Sequence, residues 1–343
     1  MTEKGQEILI GIDLGTSQSA ISTSNGEKHV VASYVGWPVD AVARKILKKD
    51  VLFGQEAVDN RTMLDLHRPL ERGLLKEGSE KDQQAIRELL GHLMDLAGVS
   101  AERKKGARVR AVVGVPAEAL RVNKQHVREA MRGFVDGLII VSEPFAVAYG
   151  LDALLHAIVV DVGAGTTDFC VMRGRYPTEE DQRTLTNAGD WVDEQLAKLL
   201  KERHPGINVS IHTVRGWKET SSFMGKAPNP VVVSVPIAGK PSEIDITEEM
   251  RQACEALGPP VAEAMLDLIA AAESEYQEQV RNNVILAGGT SAIPGFGAYL
   301  ANSLLDFGGG KIRKVKDPVF VGADGGLALA MDAPKSDWEK LPG

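Results

Sequence analysis

The chain has 343 residues, 43% hydrophobic and 25% charged, which is enough apolar material for a folded protein of roughly two domains and argues against disorder. Its 39 Lys and Arg against 47 Asp and Glu give a net charge of −8, so no general basic surface is available for a nucleic-acid backbone. Both cysteines, Cys170 and Cys254, lie in apolar stretches as in a reducing compartment. No signal-peptide pattern is evident, and the most apolar region, residues 138–160, is interrupted by Glu143, Pro144, Gly150, Asp152 and His156, so cytoplasmic residence is expected without a membrane span.

The first apolar run, Ile8-Leu-Ile-Gly-Ile-Asp13-Leu-Gly15-Thr16-Ser17, reads as a buried strand entering a turn, and Asn25-Gly26 predicts a hairpin between the next two strands. Residues 36–65 read as irregular. Apolar positions 86, 89, 90, 93, 94 and 97 share one helical face, with Ser79 as N-cap and Gly98 as stop. Residues 109–115 predict a strand and residues 118–132 a helix, so the order of elements argues for an α/β fold.

The second half opens on Ala157-Ile-Val-Val-Asp161-Val-Gly163-Ala-Gly165-Thr166-Thr167-Asp168, a second strand running into a small-residue turn. Asp13 and Asp161 are 148 residues apart, the spacing of a duplicated two-lobe molecule rather than a short repeat. A helix is expected from Asp190, whose carboxylate would cap amides near Asp193. The polar stretch 218–241 is expected to break the helical pattern as a small inserted subdomain. Helices follow over 247–256 and 261–278, then a strand at 283–287, Gly288-Gly289-Thr290 with a helix started by Pro294, and a last helix within 319–331.

Glycine lets backbone amides approach a phosphate closely and small hydroxyls add hydrogen bonds, so both turns are candidate phosphate loops. Asp13 and Asp161, at strand ends, are candidates to hold Mg²⁺ through waters. In Ser142-Glu143-Pro144 the proline restricts Glu143 and then starts a helix, fixing a carboxylate that could polarise a water attacking a γ-phosphate. Either turn alone reads equally as an ordinary capped turn, and Glu143 as a charge at a helix start. No G-x-x-x-x-G-K-[ST], complete G-x-G-x-x-G, G-x-S-x-G or H-E-x-x-H occurs, which disfavours Walker-type, Rossmann-type, serine-hydrolase and zinc sites.

Taken in order, Asp13 to Ser17, Glu143-Pro144 to Gly150, Asp161 to Asp168, Gly288 to Gly295 and the segment from Val321-Gly322-Ala323 resemble the five nucleotide-binding motifs of the actin, sugar-kinase and heat-shock-chaperone ATPase superfamily. The length and the Glu-Pro junction are similar to bacterial actins of the MreB type, and segments 33–38 and 170–177 to the branch that organises magnetosome chains. The resemblance implies an actin-like fold with ATP/ADP and Mg²⁺ in an interlobe cleft. Its first lobe would span 1–150 plus 318–335 with a small subdomain at about 32–66, and its second lobe 151–317 with one at about 192–258.

It further implies phosphate binding by Gly15, Thr16, Ser17, Gly163, Gly165, Thr166 and Thr167, metal positioning by Asp13 and Asp161, and catalysis by Glu143 with Asp161. Lys218, Glu219, Gly288, Gly289 and Thr290 would contact ribose and base. The implied partners are further copies, head to tail in a filament whose turnover hydrolysis times, and an adaptor linking it to magnetosome vesicles. Two departures from the resemblance stand out: the lysine that eukaryotic actins carry in the first loop falls near Ala20, and no membrane-insertion segment is evident, so direct membrane binding is not expected. A small-molecule kinase would need an acceptor pocket, for which no candidate stands out, and a chaperone would need a peptide-binding domain beyond residue 343; a pilus-assembly ATPase of the superfamily is the remaining alternative.

Overall fold

In the computed structural model, which describes residues 7–76, 80–117, 120, 124–237 and 239–340, the chain divides into two units. One contains residues 1–155, 174–177 and 315–343; the other contains 156–173 and 178–314. The apolar run at the start of the first unit forms the strand Glu7–Leu14 at the centre of a six-stranded sheet. It pairs in parallel with Arg108–Val115, which pairs in parallel with Gly137–Ser142; on its other side it pairs antiparallel with Gln18–Thr23, which turns through Asn25-Gly26 into Lys28–Ala32. Ile8, Ile10, Ile12, Val109, Ala111 and Val113 on one face, and Gly11 and Val112 on the other, are buried, as in strands covered on both faces.

The second unit repeats this path. Leu155–Val162 stands beside Thr167–Arg173 and then Gln182–Leu185 on one side, and beside Val284–Ala287 and then Ile312–Lys314, in parallel, on the other. Five strands therefore follow the same order in both sheets. In both, an aspartate closes the first strand: Asp13 lies opposite Gly114 and Asp161 opposite Ala287. Carboxyl ends of parallel strands are where α/β sheets gather ligand-binding loops.

Glycine seats the helix Val321–Asp332 on the first sheet. Side chains added at Gly11 and Gly325 would overlap the carbonyls of Ala323 and Ala146, and one at Gly150 would come within 2.7 Å of the Gly325 Cα, so this helix and Glu143–Gly150 meet backbone to backbone. Among the described residues no helix is long and apolar enough to cross a membrane.

Several local expectations need correction. Residues 36–65 are ordered: Val35–Pro38 pairs with Leu52–Phe53 and Leu64–His67, and Tyr34, Leu52, Ala57 and Leu64 form a small core. The helix expected from Asp190 starts at Gly189, with Ala188 at the N-cap position, and Asp190 pairs with Arg215. Lys218 lies inside the helix Ile211–Ser221, not at its end, and a hairpin, Val232–Ile237 with Lys240–Asp245, follows. The expected 261–278 helix is two helices, Gly258–Ala270 and Gln277–Arg281, and the Gln277 side chain donates to the carbonyls of Ala270 and Ala272 that the first helix end leaves open. Pro294 precedes the N-cap of Phe296–Ser303, which is Gly295 at φ 89°. Ser79 and most of 118–123 lie outside the described residues, and the helix beyond them is Lys124–Met131.

Candidate functional site

In the first unit the Asp13 turn is a tight reversal between Leu14 and its ladder partner Ser19. A Cβ at Gly15 would come within 2.7 Å of the Gln18 carbonyl, so the turn closes around glycine. The Ser33 hydroxyl donates to the Gly15 carbonyl at 2.8 Å and shares a 2.9 Å hydrogen bond with Ser19, and the Ser33 amide donates to the Ser17 carbonyl at 2.8 Å. Thr16 is buried, while Gly15 and Ser17 are half-buried.

Glu143 follows directly on Gly137–Ser142, with Pro144 in the first turn of its helix. Gly114 lies across from Asp13 in register, and Glu143 packs over it. The structure therefore brings Asp13 and Glu143 together in a side-chain hydrogen bond. Burial pushes the Asp13 carboxyl up to about 7, against the opposing pull of that bond. A carboxyl that ionises near 7 is about half protonated at neutral pH, and a cation nearby would favour its charged form.

In the second unit Asp161 ends its strand against Gly288, which at φ 80° turns its missing side chain toward the Asp161 carboxylate and the Val162 carbonyl. The Gly163 amide donates to the Thr166 carbonyl at 2.9 Å, closing the second turn. Its carbonyl accepts from the Thr290 hydroxyl at 2.7 Å and from the Gly189 amide at 3.1 Å. Asp161, residues 163–167 and Gly288-Gly289-Thr290 thus form one cluster with the amino end of the helix Gly189–Arg203. The Thr167 hydroxyl donates to the Asn187 carbonyl at 2.7 Å, so this hydroxyl and that of Thr290 hold loops to each other.

Lys218 belongs to the same cluster. It is buried, donates to the Gly189 carbonyl at 2.7 Å and pairs with the fully buried Asp193 at 2.7 Å. Arg215 adds bonds to Asp193 at 3.1 Å and Asp190 at 2.9 Å. Burial raises the Asp193 carboxyl above its usual range, opposed by Lys218 and Arg215. Glu219, the next residue, is exposed on another face of the helix. Sequence reasoning missed Ser33, Gly114, Gly189, Asp193 and Arg215. Their local signals were a buried serine, and a glycine just before an expected helix start.

Among the described residues no group of three or more His, Cys, Asp or Glu stands at metal-ligating spacing. Within each unit the carboxylates are too few to cage an ion by protein alone: the Asp13 and Glu143 pair in the first and Asp161 in the second suit contact through water.

The MreB/Mbl protein family model matches residues 7–332. "Actin-like protein MamK" of Paramagnetospirillum magneticum is 41% identical over 334 residues, which cover 97% of this chain and 95% of that protein. A solved MamK double helical filament is similar with a TM-score of 0.91 at 40% identity, over 96% of this chain and all of that one. A non-polymerising MamK mutant bound to AMPPNP has a TM-score of 0.72 at 40% identity, over 95% of this chain and 99% of that one.

Proposed function

This chain belongs to the MreB/Mbl family and is an actin-like filament protein of an ATP-binding family, and from that premise we propose that it polymerises head to tail in the cytoplasm, hydrolyses ATP with Mg²⁺ during filament turnover, and positions magnetosomes through an adaptor protein. The AMPPNP bound to the MamK mutant supports an adenine nucleotide as ligand. The observation that carries the reading is the repeated strand order in which each sheet ends its first strand in Asp-x-Gly at the carboxyl edge.

In this reading the amides of residues 15–17 and 163–167 bind phosphate, while Lys218, Glu219, Gly288, Gly289 and Thr290 form the nucleoside side of the site. Asp13 and Asp161 would hold the waters of the metal. When bound, Mg²⁺ neutralises phosphate charge and orients the γ-phosphoryl group. Glu143, fixed by Pro144 and hydrogen-bonded to Asp13, orients the attacking water and takes up its proton. Lys218 and Thr290 keep the second loop in shape through Gly189 and Gly163.

A head-to-tail filament needs two unlike surfaces on one molecule. One candidate is the exposed stripe Val39, Val42 and Ile46 on and beside the helix Ala41–Leu47, flanked by Arg44, Lys45, Lys48 and Lys49, which would receive an acidic face of a second copy. Glu143→Gln tests the catalytic assignment. Phosphate release per polymerised subunit should fall about 100-fold while binding of mant-ATP, a fluorescent ATP analogue, stays near wild type; an unchanged release rate would remove Glu143 from the chemistry.

A further inference from the structure

The first loop, Gly15-Thr16-Ser17-Gln18-Ser19-Ala20, contains neither lysine nor arginine. Arg68 reaches it from 52 residues away: its Nε donates to the Thr16 carbonyl at 2.8 Å. Its guanidinium lies over the ring of Tyr34, itself buried, 5.6 Å from the centroid and within cation–π range.

Three consecutive carbonyls of the loop are then held from outside it: Gly15 by the Ser33 hydroxyl, Thr16 by Arg68 and Ser17 by the Ser33 amide. In a trans peptide the C=O and the following N–H point in opposite directions. Drawing these carbonyls toward Ser33 and Arg68 therefore turns the amides of Thr16, Ser17 and Gln18 the other way, which is the arrangement of an anion-binding nest. Arg68 is itself well fixed. His67 before it pairs with Val35 in the ladder and bonds Asp82 at 2.9 Å, Pro69 after it restricts its backbone to extended conformations, and Leu70 is fully buried.

We propose that Arg68 is a positioning residue for the phosphates of the bound nucleotide, aligning the first loop's amides through Thr16 and bringing to the loop the positive charge it lacks. This assignment rests on the nucleotide reading above. Its test is the affinity for Mg-mant-ATP and mant-ADP, by fluorescence titration at two salt concentrations, of wild type, Arg68→Ala, Arg68→Lys and Arg68→Gln. Lysine keeps the charge, whereas glutamine keeps a donor for the Thr16 carbonyl without charge.

Arg68→Ala should weaken mant-ATP binding about tenfold or more, the scale of one charge-assisted hydrogen bond. Lysine should restore most of that loss, glutamine little, and the wild-type salt dependence should flatten in the alanine and glutamine variants. Should the alanine variant fold poorly, the lysine and glutamine pair carries the comparison by itself. Wild-type affinity in Arg68→Ala, or equal rescue by glutamine and lysine, would overturn the assignment alone. Absence of mant-ATP binding by the wild type would overturn the nucleotide reading and this assignment together.

Discussion

Asp13 sits where local chemistry opposes the surrounding fold. Burial favours its neutral form while the carboxyl of Glu143 shares a hydrogen bond with it, and the outcome is a carboxyl that ionises near 7 rather than near 4. The linkage has a definite sign. Between about pH 4 and pH 7 the folded state holds a proton that the unfolded state has released, so stability attributable to Asp13 is full below that range and is lost as pH rises through it. With metal chelated and nucleotide removed, the stability of wild type minus that of Asp13→Asn should therefore fall between pH 5 and pH 8, by up to about 3 kcal/mol. Urea titrations of both proteins across that range give the difference, and a difference independent of pH would mean that Asp13 titrates normally. The Asp13 and Asp161 turns and the Glu143-Pro144 junction are legible in sequence because each is encoded by contiguous residues. Arg68 on Thr16, Arg215 on Asp190 and Lys218 on Asp193 are not, since each partner arrives from 25 to 52 residues away and only the fold brings them together.

The seam between the helices Glu143–Gly150 and Val321–Asp332 links the catalytic candidate to the core of its unit. At Gly325 a Cβ would overlap the Ala146 carbonyl, and backbone cannot yield as a flexible side chain can. Gly325→Ala should cost about 3 kcal/mol or more and lower the melting temperature by about 6 °C or more; calorimetry showing an unchanged transition would mean the helices do not meet this closely. Long elements with strong periodicity, such as the Glu80–Leu96 helix and the Arg108–Val115 strand, were legible from the sequence. The strands Val35–Pro38, Leu52–Phe53 and Leu64–His67 were not, because elements of two to four residues are too short to establish a period and depend on pairing with one another. The break between Gly258–Ala270 and Gln277–Arg281 was hidden for a different reason: the carbonyls it opens are met by one glutamine side chain reaching back from the next helix, with no glycine or proline to mark the end.

At the scale of the whole chain, two units carry the same five-strand order, and each ends its first strand in an aspartate followed by a small-residue turn. The 148-residue spacing of the two aspartates made this duplication legible, whereas no local pattern marks which surfaces join one subunit to the next. In the proposed function, nucleotide chemistry and assembly are coupled in this molecule. Light scattering and phosphate release followed together in one sample after adding Mg-ATP, over a range of protein concentrations, test it most directly. Such coupling predicts scattering that rises above a critical concentration, with phosphate release lagging behind it and becoming faster per subunit as polymer accumulates. Phosphate release proportional to protein concentration with no growth of particles would contradict it.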